Sequence, residues 1–196
     1  MARDQDQATT EALVEFFRRS GRLKTEPRKG WVKKLGERAP ESVADHSYRS
    51  ALMAMVFSDM RGLDTERAVK MAILHDLPES VVGDSIPGER SRREKVRRED
   101  EAMISLLERM PRPIREEYTR LWAEFLEGMS PEAVLVSQID KLEMAMQAQE
   151  YADRGHDPRS LREFFRTARR SVKDRELRRM LLILERGREH GPDGEA

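Results

Sequence analysis

Apolar residues recur every three to four positions along most of the chain, the spacing that places them on one face of an α-helix. This pattern predicts helices over residues 8–20, 42–60, 64–77, 114–126, 131–153, 159–169 and 173–188, and one more that starts in the charged run 89–100 and ends before Pro111. No segment shows the alternation of a β-strand, and no repeat or linker divides the chain. The sequence therefore predicts an all-α protein with one domain over residues 1–196.

Capping residues and prolines indicate where these helices begin and end. Ser42 and Ser130 stand where N-caps are expected, and Pro131 occupies the first helical position after Ser130. Pro78 lies inside an apolar pattern and predicts that a helix ends or kinks just before it. Residues 21–42 include glycines and prolines, which indicate a loop that crosses the surface. The apolar residues in helical register over 42–60 are Val43, Tyr48, Ala51, Leu52, Met55 and Val56.

The composition narrows the function classes. Charged and apolar residues each make up 38% of the 196 residues, which is typical of a globular protein rather than a disordered one. The 37 basic and 37 acidic residues give no net charge, which disfavours nucleic-acid binding. The run 89–100 mixes both signs without aromatic residues and indicates a solvated helix. No membrane span and no signal peptide are visible, so we expect a cytoplasmic protein without nucleic-acid or membrane partners.

The absence of cysteine suits the cytosol and limits any metal site to His, Asp and Glu, which bind hard or borderline divalent ions. Of the four histidines, His156 and His190 lie in polar segments and are expected to be exposed. His46 has Val43 and Ser50 as neighbours at helical spacing, and His75 follows Met71 by four residues on an apolar stripe, so both are expected to point inward. A single inward histidine is most often a core residue with satisfied ring nitrogens, but two on neighbouring helices weaken that reading.

Two aspartates accompany the inward histidines. Asp76 follows His75 directly, and Asp140 interrupts an apolar helical face. A buried carboxylate must be paired or bound to a metal, because an isolated buried charge is too costly. Two imidazoles and two carboxylates therefore predict a site for one divalent ion, such as Mn²⁺, Co²⁺ or Zn²⁺, since a second ion would need further ligands.

Two more carboxylates follow the histidine–aspartate pair. Glu79 lies four residues after His75, so both side chains project from the same helical face, and Glu79 is placed to orient or deprotonate a water. Asp84 lies beyond a turn and could bond a substrate hydroxyl. The alternative for both is a solvated helix end with a turn aspartate. The pattern thus indicates a metal site with hydrolytic capacity without naming a substrate.

Four longer stretches are more specific than the histidine–aspartate pair. They are "LKTEPRKGWV", "ESVADHSYRSALMAMV", "LHDLPESVVGD" and "IDKLEMAMQAQEYAD". In that order they resemble the 5′-deoxynucleotidase branch of the HD-domain metal-dependent phosphohydrolases, the branch of HD domain-containing protein 2. The resemblance runs over about residues 13–184. It implies a single HD-domain helical bundle that hydrolyses deoxynucleoside 5′-monophosphates, and also a homodimer.

The resemblance also implies roles for individual residues. It makes His46, His75, Asp76 and Asp140 the metal ligands. It implies that Glu79 activates the nucleophilic water and that Asp84 contacts the deoxyribose 3′-hydroxyl.

The motif "PRKGW" matches the region that supplies an arginine to the phosphate and a tryptophan beside the sugar, which here are Arg28 and Trp31. In the bacterial enzymes these two residues are adjacent, whereas Lys29 and Gly30 separate them here, as in the eukaryotic form. A tight wall at Trp31 would exclude a ribonucleotide 2′-hydroxyl.

Two other functions stay open at this point. One is hydrolysis of a different phosphate ester, such as a cyclic nucleotide; the resemblance at the positions of Glu79 and Asp84 in "HDLPESVVGD" favours the deoxynucleotidase instead. The other is a non-catalytic helical module that keeps a metal only for structure. Removing the metal discriminates between them, because it abolishes phosphate release in an enzyme and only lowers the melting temperature of a structural module.

Overall fold

The computed structural model describes residues 2–86 and 88–189, which form α-helices and one 3₁₀ helix at Gly21–Lys24. The α-helices are α1 Ala2–Ser20, α2 Lys29–Leu35, α3 Val43–Arg61, α4 Thr65–Leu74, α5 Glu79–Val82, α6 Arg92–Leu107, α7 Arg112–Glu127, α8 Pro131–Asp153, α9 Pro158–Ser171 and α10 Arg175–Glu189. In these ranges a single antiparallel bridge, Pro27 to Ser42, is the only β-type pairing, and no helix is long and apolar enough to cross a membrane. The prediction of an all-α fold is confirmed; the single domain over the whole chain stays a prediction.

Helix α8 runs through the centre of the bundle. It packs against α3, α4, α7, α9 and α10. Its buried apolar side chains are Ala133, Leu135, Val136, Ile139, Leu142, Ala145, Ala148 and Tyr151. Burial of each large side chain contributes about 1.5–3 kcal/mol of transfer free energy. Because α3 and α4 flank α8, the inward residues of these three helices meet at one place.

Side-chain caps confirm the predicted starts of α3, α4 and α8, whereas α1 begins at Ala2, six residues before its predicted start. Ser42 Oγ accepts a hydrogen bond from Asp45 N at 3.1 Å, and Ser42 N donates to the Asp45 carboxylate at 2.9 Å, which completes a capping box. Ser130 Oγ accepts from Ala133 N at 3.1 Å. Asp64 caps α4 in the same way. Capping of this kind is worth about 1 kcal/mol, so local sequence fixes where α3, α4 and α8 begin.

The prediction of a loop over residues 21–42 is wrong in part, because the segment contains the 3₁₀ helix and α2. Helix α2 is held by the side chain of Trp31, which is 1% exposed and packs on Phe164 of α9 with ring centroids 4.0 Å apart. Gly36 then ends α2 at a φ of 64°, a left-handed conformation that glycine adopts without strain. Packing of Trp31 against α9 thus stabilises a helix in spite of the glycines and prolines nearby in the sequence.

Helix α4 ends at Leu74, three residues earlier than predicted. The next residues form tight turns, in which Leu77 N donates to Leu74 O at 3.1 Å, a 3₁₀-type spacing. Pro78 is the N-cap of α5 rather than a kink within α4. His75 and Asp76 therefore lie in a turn between two helices, where consecutive side chains can converge.

Four of the six apolar residues in register over 42–60 lie on the outer face of α3. Tyr48 is 73% exposed, and Leu52, Met55 and Val56 are also exposed. The buried residues of α3 are Val43, His46, Ser50, Met53, Ala54, Phe57 and Ser58. Three of these are polar, so the inward face is hardly more apolar than the outer one. Hydrophobic contrast alone could not identify the buried face of this helix.

Candidate active site

Four side chains predicted as metal ligands converge between α3, α4 and α8, and we refer to His46, His75, Asp76 and Asp140 as the four-residue cluster. His46 Nε2 lies 3.5 Å from Asp76 Oδ2 and 3.4 Å from Asp140 Oδ1. His75 Nε2 lies 3.2 Å from Asp76 Oδ2. Potential ligand atoms of His46, His75 and Asp140 all lie within 4.8 Å of one another. This spacing is compatible with ligation of one cation.

Both imidazole rings of the cluster have a fixed orientation. His75 Nδ1 donates to the carbonyl oxygen of Ala72 at 2.7 Å, and His46 Nδ1 donates to the carboxylate of Glu143. Each Nε2 atom therefore points into the cluster. Both are buried, and neither has a hydrogen-bond partner in the described part of the chain. Such orphaned nitrogens are costly unless a cation occupies the space between them, and Nδ1 bonds of this kind are typical outer contacts of metal ligands.

The charges of the cluster also suit a cation. Burial would raise the pKa of Asp76, but His75 and Arg28 hold it below its ordinary value. Burial likewise opposes ionisation of Asp140, but Lys141 and His46 keep its pKa well below the usual range. Both carboxylates are therefore ionised at neutral pH. The cluster thus offers two anionic oxygens and two imidazole nitrogens, a donor set that fits a divalent transition ion.

Glu143 orients His46 and was not recognised from the sequence. Its side chain is fully buried on α8, and its second oxygen accepts from Arg49 Nε at 2.8 Å. Arg49 Nη2 continues the chain of bonds to Gln147 Oε1 at 2.8 Å. Glu143 follows Asp140 by three residues, so helical spacing could have indicated that both face α3.

The remaining histidines lie away from the cluster. His156 was predicted to be exposed, but its ring is partly buried and Nε2 lies 2.9 Å from Glu37 Oε2. His190 lies outside the described residues. No other histidine of the described ranges reaches the cluster.

A cavity of about 250 Å³ opens over the four-residue cluster. Its lining includes Arg28, Trp31, Asp76, Glu79, Asp84, Ser85, Lys95, Asp140, Lys141, Met144 and Phe164. A more open hollow of about 660 Å³ beside α9 is lined by eight residues, four of them arginines, and contains none of the cluster residues. The smaller cavity is the one that joins the cluster to all the residues predicted to bind substrate.

Glu79 is buried at the start of α5, so the alternative of a solvated helix end is wrong for this residue. Its side chain is 4% exposed, and Oε2 has no hydrogen-bond partner among the described residues. Burial raises the pKa of Glu79 well above its ordinary value, and the nearby charges of Asp76 and Asp84 add to this effect. A carboxylate with an unpaired oxygen and a raised pKa, facing a cavity, is well placed to accept a proton.

Asp84 lines the cavity and is held by its neighbours. One carboxylate oxygen accepts from Lys29 N at 2.6 Å, and the other accepts from Ser85 N at 2.8 Å. The backbone N of Asp84 donates to Glu26 at 2.9 Å. Each carboxylate oxygen has a further lone pair, so Asp84 can still accept a substrate hydroxyl.

Arg28 and Trp31 both reach the cavity and share a neighbour, Glu41. Arg28 Nη1 donates to Asp76 Oδ2 at 3.1 Å, and Arg28 N donates to Glu41 O at 3.1 Å. Trp31 Nε1 donates to Glu41 Oε1 at 2.7 Å. Burial and the neighbouring Glu143 raise the pKa of Glu41 to about 7. Sequence reasoning missed Glu41, which anchors the segment that carries both residues.

Comparison with known proteins relates this arrangement to other chains. The HD domain family model matches residues 20–180. Human and mouse 5′-deoxynucleotidase HDDC2 are each 44% identical to this chain, over 155 and 154 residues. The human match covers 79% of this chain and 75% of that protein, and the mouse match covers 78% and 76%.

Among solved structures, a conserved hypothetical protein from Pyrococcus furiosus superposes with a TM-score of 0.74. It is 33% identical, and the alignment covers 88% of this chain and 99% of that one. The shared sequence and the shared fold therefore both extend over most of the chain.

Proposed function

The chain belongs to the HD domain family, and from that premise we propose that it hydrolyses deoxynucleoside 5′-monophosphates to a deoxynucleoside and phosphate, with a divalent metal ion. The observation that carries the proposal is the convergence of the four-residue cluster under a cavity that also contains Arg28 and Glu79. The activity named for the human and mouse relatives supports the choice of substrate.

In this proposal the four-residue cluster holds the ion. When bound there, a divalent ion supplies Lewis-acid chemistry: it draws charge from phosphoryl oxygens and makes water easier to deprotonate near neutral pH. The ion and a proton compete for His46, because Glu143 and Asp140 raise its pKa to about 9 against the opposing effects of burial and Arg28. The carboxylates of Asp76 and Asp140 stay ionised and give the site its negative charge.

Arg28 binds the phosphate in this proposal. Burial opposes its charge, but Asp76 and Asp140 raise the pKa of Arg28 further, so the guanidinium is permanently charged. Its bond to Asp76 fixes the guanidinium at the wall of the cavity and leaves other N–H donors for phosphoryl oxygens. Arginine suits this task because its planar fork matches two oxygens at once.

Glu79 and Asp84 complete the assignment. Glu79 accepts the proton of the attacking water at its unpaired Oε2, and the dry surroundings that raise its pKa make it a stronger base. Asp84 accepts a hydrogen bond from the 3′-hydroxyl of the deoxyribose, since its carboxylate lines the cavity and is fixed there by Lys29 and Ser85.

We expect Trp31 to set the preference for deoxyribose. Replacing Trp31 with alanine opens the cavity wall, so the ratio of kcat/KM for dAMP over AMP should fall by about ten- to a hundredfold. The ratio is the quantity to measure, because a buried Trp→Ala change also costs about 3–5 kcal/mol of stability and reduces the folded fraction. The folded fraction cancels in a ratio of two substrates.

Trp122→Phe is the control for this prediction, because Trp122 is equally buried but is bonded to Asp100 instead of lining the cavity. Trp31→Phe should give an intermediate ratio. If Trp31→Ala leaves the ratio of kcat/KM for dAMP over AMP unchanged, another residue sets the preference for deoxyribose.

The direct test of the proposed function is phosphate release from a panel of deoxy- and ribonucleoside 5′-monophosphates and 3′,5′-cyclic nucleotides. Metal-stripped protein should be inactive, and Mn²⁺, Co²⁺ or Zn²⁺ should restore release from the deoxynucleotides. Release from cyclic nucleotides alone would move the substrate to another phosphate ester. Binding of the ion with a higher melting temperature, but with no release from any substrate, would leave only a structural role for the metal. The homodimer and the cytoplasmic location stay predictions.

A further inference from the structure

Lys95 differs from the other residues of the charged run 89–100. Its Nζ lies 3.9 Å from Glu79 Oε1 and 3.3 Å from Glu99 Oε1, and its side chain lines the cavity. Two residues further along α6, Arg97 forms the same type of helical pair with Glu101, but both side chains are more than 60% exposed. The Lys95 side chain is 42% exposed, but unlike Arg97 it also reaches the cavity and the buried Glu79, so the interpretation of this run as a solvated helix is complete for Arg97 and only partial for Lys95.

The charges around the cavity show what Lys95 can contribute. A phosphate monoester carries negative charge and must enter a space lined by the carboxylates of Asp76, Glu79, Asp84 and Asp140. Two of the lining cations are already bonded to carboxylates of the cluster: Arg28 to Asp76, and Lys141 to Asp140 at 2.7 Å.

Lys95 is placed differently from those cations. Its 3.9 Å separation from Glu79 is too long for a hydrogen bond, so the Glu79 contact is electrostatic only. One of the three ammonium donors points to Glu99, which leaves two for a ligand. The flexible stem of lysine allows Nζ to move toward an anion that enters the cavity.

We propose that Lys95 binds the phosphate of the substrate together with Arg28, so that α6 and the segment before α2 hold the phosphoryl group between them. This assignment rests on the proposed function. In this arrangement the phosphate lies beside Glu79, because the Lys95 ammonium is close to Glu79 and would contact the phosphate as well. A lysine that contacts the phosphate adds positive charge where the carboxylates would otherwise repel the substrate.

The test uses Mn²⁺-loaded enzyme and the variants Lys95→Ala and Lys95→Arg. Lys95→Ala should lower kcat/KM for dAMP by about ten- to a hundredfold and raise the inhibition constant of inorganic phosphate by a similar factor, as expected for a lost charged hydrogen bond. Lys95→Arg should recover most of both losses, because the charge is kept. Arg97→Ala is the matched control from the same helix, and it should match the wild type in both measurements.

Several outcomes would overturn the assignment. If the wild type is active, the assignment fails when Lys95→Ala has a KM and a phosphate inhibition constant within twofold of the wild-type values. It also fails when Lys95→Ala loses only kcat and has a lower melting temperature. If the wild type releases no phosphate, the proposed function fails, and calorimetric titration of inorganic phosphate into Mn²⁺-loaded wild type and Lys95→Ala still tests the lysine. Weaker binding in the variant supports the assignment, whereas equal binding, or no binding to either protein, contradicts it.

Discussion

Replacing Asp76 with alanine is expected to reduce phosphate release by at least about a thousandfold and to remove the bound metal. Asp76 Oδ2 lies within 3.5 Å of both cluster histidines and accepts a hydrogen bond from Arg28, so the change removes an anionic ligand and frees the arginine. Lewis-acid stabilisation of a phosphoryl transition state is worth several kcal/mol, and each 1.36 kcal/mol is a factor of ten in rate. The measurements are phosphate release from dAMP and metal content after reconstitution with Mn²⁺.

The control for this variant is Asp153→Ala, since Asp153 is exposed at the end of α8, accepts a hydrogen bond from Gln149 Nε2 at 2.8 Å and does not line the cavity. It should keep both activity and metal content. If Asp76→Ala keeps full activity and one metal ion per chain, Asp76 is not a metal ligand.

The second large effect is expected for Glu79→Gln, which should lower kcat by about a hundred- to ten-thousandfold while metal binding is kept. Glutamine preserves the shape of the side chain but cannot accept a proton at the position of Oε2. A base must be deprotonated to act, so wild-type activity should rise with pH through the pKa of Glu79. This acidic limb of the pH profile should be absent from the residual activity of the variant.

Glu132→Gln is the matched control for loss of a buried carboxylate, because Glu132 is also buried but accepts a hydrogen bond from Asp64 N at 3.0 Å, away from the cavity. Its activity should equal that of the wild type. A Glu79→Gln enzyme with wild-type kcat and an unchanged pH profile would assign proton transfer to a different group.

The residues with the clearest chemistry could be located from the sequence. His46 and Asp140 are unusual side chains on otherwise apolar helical stretches, and His75 is joined directly to Asp76. Residue type and helical spacing were therefore sufficient to predict that these side chains meet, and the structure brings them together. Their function as ligands stays a proposal until metal content is measured.

Other parts of the fold depend on contacts that no local pattern records. The outer face of α3 is as apolar as the inner face, so its orientation is decided by packing on α4 and α8. Helix α2 forms because Trp31 packs on Phe164, which lies far along the chain. In each case a tertiary contact overrides the preference of the local sequence.

Three residues around the site escaped sequence reasoning for the same reason. Glu143 resembles an ordinary charged position of α8, and Glu41 precedes a helix cap. Lys95 lies within residues 89–100, of which ten are charged, with both signs present. Each is identified only by a partner on another helix: Glu143 is bonded to His46, Glu41 to Trp31, and Lys95 lies beside Glu79.

The position of the four-residue cluster also links ligand binding to folding. Its members come from α3, the turn after α4, and the middle of α8, and an unfolded chain keeps them apart. An ion that binds only the folded arrangement raises the free energy of unfolding by RT ln(1 + [ion]/Kd), about 2.7 kcal/mol at a concentration one hundred times Kd. The supply of metal would then control how much of the chain survives proteolysis in the cell, in addition to how fast it turns over substrate.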